Sequence, residues 1–163
     1  MEALIAVALL SVLAGIAVPS LSGWLEAQRL NKAARQLVTD LQFAKMKAVT
    51  ETVQYQLRFE NKIGRYTIER GDKATDSEMW SIVGPARELQ SKDNPYYAKG
   101  VSLVQNFSHS RAIFSPGGTS NMGTAKLSIE SCTDGKASCQ MSPKRQCERC
   151  VTALLTGRIA LVQ

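Results

Sequence analysis

Directly after Glu2 come seventeen consecutive residues without a charge, and a helical pattern follows them without a break. Residues 3–19, ALIAVALLSVLAGIAVP, carry a single hydroxyl, Ser11. As a helix at about 1.5 Å per residue the run is roughly 26 Å long, the short limit for crossing a bilayer. Read instead as a signal-peptide core, it lacks a preceding positive charge and a small-x-small cleavage site leading into a fresh sequence. Beyond Pro19, Trp24, Leu30, Ala34, Leu37, Leu41, Ala44 and Ala48 recur at helical spacing, and Val38 and Phe43 widen the stripe. The polar face carries Arg29, Lys32, Arg35, Asp40, Lys45 and Lys47, and no proline or glycine interrupts residues 24–49. One helix of about 45 residues is therefore expected. Pro19 should kink it by removing a backbone hydrogen bond, and Gly15 is a second weak point.

After Thr50 the period changes from 3.6 to 2. TVQYQLRF (52–59) and RYTIER (65–70) alternate on either side of turn chemistry at Asn61–Gly64, which predicts a β-hairpin. Residues 71–99 are loop-rich, with one short strand expected around Trp80–Val83. VSLVQNF (101–107), RAIFS (111–115), AKLSIES (125–131) and VTALLTGRIALV (151–162) are further strand candidates, with the polar loop PGGTSNMG (116–123) among them. The fold class is α+β, a long N-terminal helix packed on an antiparallel sheet. Its divisions are 1–23 (transmembrane and assembly half of the helix), 24–50 (amphipathic half) and 51–163 (sheet domain with a cysteine-containing loop at 132–150).

Charge and chemistry narrow the function classes. A net charge of +6 with interspersed signs admits anionic partners without requiring them. His109, the single histidine, sits between Ser108 and Ser110 and reads as an exposed loop residue. No Ser/His/Asp set, paired catalytic carboxylates or phosphate-cradling glycine loop is recognisable, so no enzyme and no cofactor are expected. Cys132, Cys139, Cys147 and Cys150 crowd the C-terminal part. Only Cys147 and Cys150 have the C-x-x-C spacing of a zinc half-site, which leaves a metal unsupported.

Glu2 directly before the apolar run and Pro19 at its end, with Gly15 and a long amphipathic helix, resemble the N-terminal signature of type IV pilins and type II secretion pseudopilins. RLNKAARQLVTDLQFAKMKAVTE (29–51), IFSPGGTSNMG (113–123) and a terminal strand holding TGRI (156–159) resemble the GspH/FimT group of minor subunits. The resemblance implies a minor pilin or pseudopilin in a type IV pilus or secretion pseudopilus, near the filament tip and acting in assembly. It implies a single-pass inner-membrane protein with a periplasmic domain, partnered by other pilins through the N-terminal helix. Glu2 would pair with the free amine of a neighbouring subunit, since an unpaired charge in the filament's apolar core costs several kcal/mol. Local melting between Gly15 and Pro19 would let helices pack and the filament stretch.

The family carries a basic leader that a prepilin peptidase removes before the new N-terminus is methylated. Leader, cleavage glycine and the usual phenylalanine are absent before Glu2, so Met1 is expected to be an internal methionine of a longer reading frame. An extracytoplasmic domain favours two disulfides among the four cysteines. If strands 125–131 and 151–157 pair, nested bridges Cys132–Cys150 and Cys139–Cys147 fit better than sequential ones, one of three possible connectivities. The alternative function is DNA binding for natural uptake, as in some FimT-like subunits, through Lys144, Arg145, Arg149 and Arg158. Arg158 matches the arginine of the terminal GR motif, but Ala160 stands where a second basic residue would follow.

Overall fold

Apolar positions at helical spacing with no breaker between 24 and 49 form a single helix, α1 (Glu2–Glu51). The structure, a computed structural model, describes residues 2–60, 64–129 and 148–162, with side chains over 24–60, 64–128 and 148–161. The helical backbone runs without interruption past both Gly15 and Pro19. Among the described residues no helix is long and apolar enough to cross a membrane, and the side chains of residues 3–19 lie outside that set.

The strands follow as β1 (Tyr55–Glu60), β2 (Arg65–Gly71), β3 (Trp80–Ile82), β4 (Arg87–Glu88), β5 (Val101–Gln105), β6 (Arg111–Phe114), β7 (Gly123–Ile129), β8 (Glu148–Ala153) and β9 (Ile159–Val162). The expected hairpin is β1–β2, with Tyr55 opposite Arg70 and Glu60 opposite Arg65. One sheet was expected and two are found. The first has the order β3-β2-β1-β6, with β4 also on β2, and the second has the order β5-β7-β8-β9.

The division has a local cause at Asn121. Its side-chain amide donates to the Arg111 carbonyl (2.6 Å) and accepts from the Ile113 amide (2.6 Å). The outer edge of β6 is thereby satisfied by a side chain, so the sheet ends there and the chain moves on to start the second. The candidate strand 151–162 is likewise corrected to a hairpin. Gly157, at φ +68, donates to the Leu154 carbonyl (2.7 Å), which turns the chain between β8 and β9 and puts the TGR residues in the turn.

Both sheets share one core on the helix. Leu30, Ala33, Ala34, Leu37, Leu41, Ala44 and Ala48 are buried with Leu57, Ile68 and Phe114 of the first sheet and Leu103, Leu127 and Val151 of the second. Phe59 and Phe107 stack at 5.5 Å where the sheets meet. Two helix assignments are corrected. Asp40, placed on the polar face, is only 4% exposed, while Trp24, placed in the stripe, is 60% exposed. The physical reason is that the domain covers the helix only from Leu30 onward, and Asp40 lies three residues from Leu37 on the covered side.

The helix stops at Thr52, which takes φ +54. A β-branched residue is costly in that left-handed region, where glycine is at ease. Thr52→Gly should stabilise the protein by about 0.5–1 kcal/mol, read from urea denaturation midpoints. A loss of stability would show that the threonine side chain holds the helix end.

Candidate functional site

The helix has two halves with different surroundings. From Leu30 its stripe is buried by the sheets; before it, Trp24, Leu25, Glu26, Gln28 and Arg29 are exposed. Helical backbone extends back to Glu2, so roughly 40 Å of helix precedes Leu30 at about 1.5 Å per residue. Glu2, Gly15 and Pro19 all lie on this half, and their side chains are outside the described residues.

Four sets of polar contacts seat the docked half, and they follow one another along the helix. At Asn31, the side-chain oxygen accepts from Arg149 Nε of β8 at 2.8 Å. At Asp40, Oδ2 accepts from the Tyr66 hydroxyl (2.8 Å) and lies 3.3 Å from Arg87 Nε, while Oδ1 accepts from Gln36 (3.3 Å). The Arg87 guanidinium also stacks 5.0 Å over Tyr96, which ties the loop after β4 to the helix. Burial, followed by the Asp40 charge, pushes the Tyr66 hydroxyl pKa well above its ordinary value, so it stays a donor.

The third set joins the two glycine turns. Lys45 Nζ donates to the Gly157 carbonyl at 3.0 Å. Gly157 in turn lies so close to the 115–121 loop that a Cβ on it would fall 1.8 Å from the Gly118 carbonyl oxygen. Ser120 fastens the same junction, its hydroxyl donating to the Leu154 carbonyl (2.7 Å). At the helix end, Glu51 accepts from Arg70 Nε (2.8 Å), the Tyr55 hydroxyl (2.8 Å) and Lys47 Nζ (3.0 Å). The Arg70 hydrogen bond, then those of Lys47 and Tyr55, lower its carboxyl to a pKa of about 2. These cations also offset the unfavourable placing of an acid at a helix C-terminus.

The remaining expected site residues separate. Cys150 is disulfide-bonded. Cys132, Cys139 and Cys147, with Lys144 and Arg145, lie outside the described residues. β7 and β8 do pair antiparallel, with Ala125 opposite Val151, the pairing on which nested bridges were conditional. Arg149 is half-buried against the helix, whereas Arg158 is exposed on the β8–β9 turn, so these two are not one basic surface. His109 is exposed in a single 3-10 turn, Ser108–Ser110. No cluster of three metal-ligating side chains occurs among the described residues. Sequence reasoning missed Lys45, Asp40, Arg87 and Glu51 as the docking residues. Asp40 was the detectable one, since its spacing from Leu37 and Ala44 places it inside the apolar stripe.

Residues 33–144 match the family model of the type II transport protein GspH. The fold is similar to the minor pseudopilin EpsH of the type 2 secretion system of Vibrio cholerae, with TM-score 0.56 and 13% identity over 79% of this chain and 92% of that one. It is also similar to the type IV minor pilin FimU of Pseudomonas aeruginosa, with TM-score 0.56 and 20% identity over 86% of this chain and 92% of that one. No curated protein sequence matches the chain significantly.

Two substitutions check how the helix is seated. Gly157→Ala should cost about 2–5 kcal/mol in urea denaturation, since the new Cβ meets the Gly118 carbonyl and the backbone is left-handed. An unaffected midpoint would mean that the two turns are not held together. For Glu51, a folded pKa of about 2 against an ordinary 4.5 means its stabilisation is complete above pH 4.5 and disappears as pH falls toward 2. Glu51→Gln should therefore melt below the parent at pH 7, with the gap closing between pH 4.5 and 2. A gap equally wide at both ends would rule out the carboxylate as its cause.

Proposed function

The chain belongs to the GspH family of type II transport proteins, and from that membership we propose that it is a minor pilin or pseudopilin that assembles through the exposed half of its helix. The family consists of filament subunits, so the role is structural and not enzymatic. The observation that carries the reading is the boundary at Leu30. The domain buries the helix from there on, while the described side chains just before it are exposed, Trp24 by 60% and Leu25 by 42%. Large apolar side chains on a bare helix are explained when neighbouring helices cover them.

In this reading residues 3–19 hold the subunit in the inner membrane, with the β-domain in the periplasm, before it enters a pilus or a secretion pseudopilus. Its partners there are other subunits of the filament and the peptidase that trims their leaders. Glu2 sets axial register by pairing with a neighbour's terminal amine, and Gly15 and Pro19 relax the helix as subunits pack. Cys132, Cys139, Cys147 and Cys150 form two bridges that close the 132–150 loop. As a minor subunit it would sit at or near the filament tip. DNA binding ranks second. Arg158 is exposed for it, but Arg149 is committed to Asn31 in the fold.

Glu2→Leu in the native cell tests the assembly role. The variant should accumulate at parental levels and keep the parental melting temperature of the purified chain, yet be lost from the sheared or co-isolated filament fraction. Incorporation at parental levels would sink the proposal.

A further inference from the structure

The strands of the first sheet carry five arginines and no lysine. Three have acids: Arg65 with Glu88 (3.6 Å), Arg70 with Glu51 (2.8 Å) and Arg87 with Asp40 (3.3 Å). The other two, Arg58 and Arg111, have no ion pair among the described residues, and they stand directly opposite each other in the β1–β6 register. Side chains opposed in this way share a face at about 5 Å between Cβ atoms, where like charges destabilise the pair. Their strand neighbours Leu57 and Ala112 are fully buried toward the helix, so Arg58 and Arg111 occupy the outer face. On the same face Glu60 stands two residues along β1 from Arg58, yet it makes no ion pair with either arginine.

We propose that this outer face, centred on Arg58 and Arg111, docks a carboxylate-rich segment of another protein subunit. Two adjacent guanidinium forks match carboxylate geometry, and a bound carboxylate would remove the repulsion that the single chain tolerates. The surroundings favour a protein over a polyanion. Ile113 flanks the pair, and further across the same face are half-buried Trp80 and Ile82, which is 62% exposed. Arginine beside aromatic and aliphatic side chains is typical of the buried centre of protein interfaces. The partner covers the face and does not add a strand beside β6, where Asn121 already caps the edge. The surface lies away from the N-terminal helix, so its test is independent of the Glu2 experiment.

The test uses the full chain in non-ionic detergent with a fluorescent hexaglutamate peptide as probe, beside duplex DNA and phosphatidylglycerol vesicles. Peptide binding should occur at low salt and fade as salt rises. Arg58→Gln and Arg111→Gln should each weaken it about tenfold while leaving the melting temperature equal to or above the parent's. Arg58→Lys, which keeps the charge and loses the fork, should fall between. Variants that melt below the parent and bind the peptide as the parent does would overturn the proposal. So would binding of DNA or vesicles, but not of the peptide, that depends on these two arginines.

Discussion

The apolar stripe from Leu30 to Ala48 is the surface on which everything after the helix is built. It is narrow and rich in alanine at positions 33, 34, 44 and 48, all buried, and small side chains let strands approach the helix backbone closely. Two sheets share it, with Leu57 and Ile68 on one side of the common core and Leu127 and Val151 on the other. Apolar burial of this kind is strong but non-directional, so it does not by itself decide where along the helix the sheets come to rest. The polar contacts supply that decision. Asn31, Asp40, Lys45 and Glu51 each meet a particular residue of the β-domain. Sliding the domain by one helical turn would break all four at once, and the Asp40 and Arg87 charges would then be buried without partners, at several kcal/mol.

What was legible in the sequence, and what was not, follows from the range of the forces involved. The helix could be read because its signal is local, an unbroken period of 3.6 with no glycine or proline between residues 24 and 49. The β1–β2 hairpin could be read for the same reason, with period-2 alternation on both sides of a turn. Asp40 was misplaced because a charge was assigned to the polar face by type, although its spacing put it in the stripe. Its partners Tyr66 and Arg87 come from distant strands and leave no local trace. The second sheet was hidden because the β6 edge is ended by one side chain, Asn121, inside a loop that otherwise reads only as turn chemistry. Gly157 splits residues 151–162 into two strands for a reason visible only in three dimensions, the approach of the Gly118 carbonyl.

The segments that carried the family resemblance divide into two physical classes. SPGGTS and TGR are far apart in the chain but meet at one junction, where Ser120 bonds Leu154 and Lys45 bonds Gly157. Their glycines serve close backbone approach, so these motifs report the fold and say little about partners. Glu2, Gly15 and Pro19 belong to the other class. They precede Leu30, the first buried residue among the described side chains of the helix, and the role proposed for them is assembly.

That separation also bears on how much the domain is free to vary. Stability is concentrated in residues 30–51 and the strands that cover them, and on the far side of the first sheet Gln56 and Thr67 both donate to the buried Glu69. Arg58 and Arg111 sharpen the point, because an opposed pair of like charges is a local cost that a fold selected for stability alone would lose with a single substitution to glutamine. Exposed Trp24 and Leu25 carry the same implication at the other end of the molecule, where apolar surface faces water in the single chain. Both features gain a physical rationale when the chain has neighbours, one along the helix and one across the sheet. A subunit with two such surfaces, separated by its own core, can hold one partner by apolar packing and another by charge without either contact disturbing the domain between them.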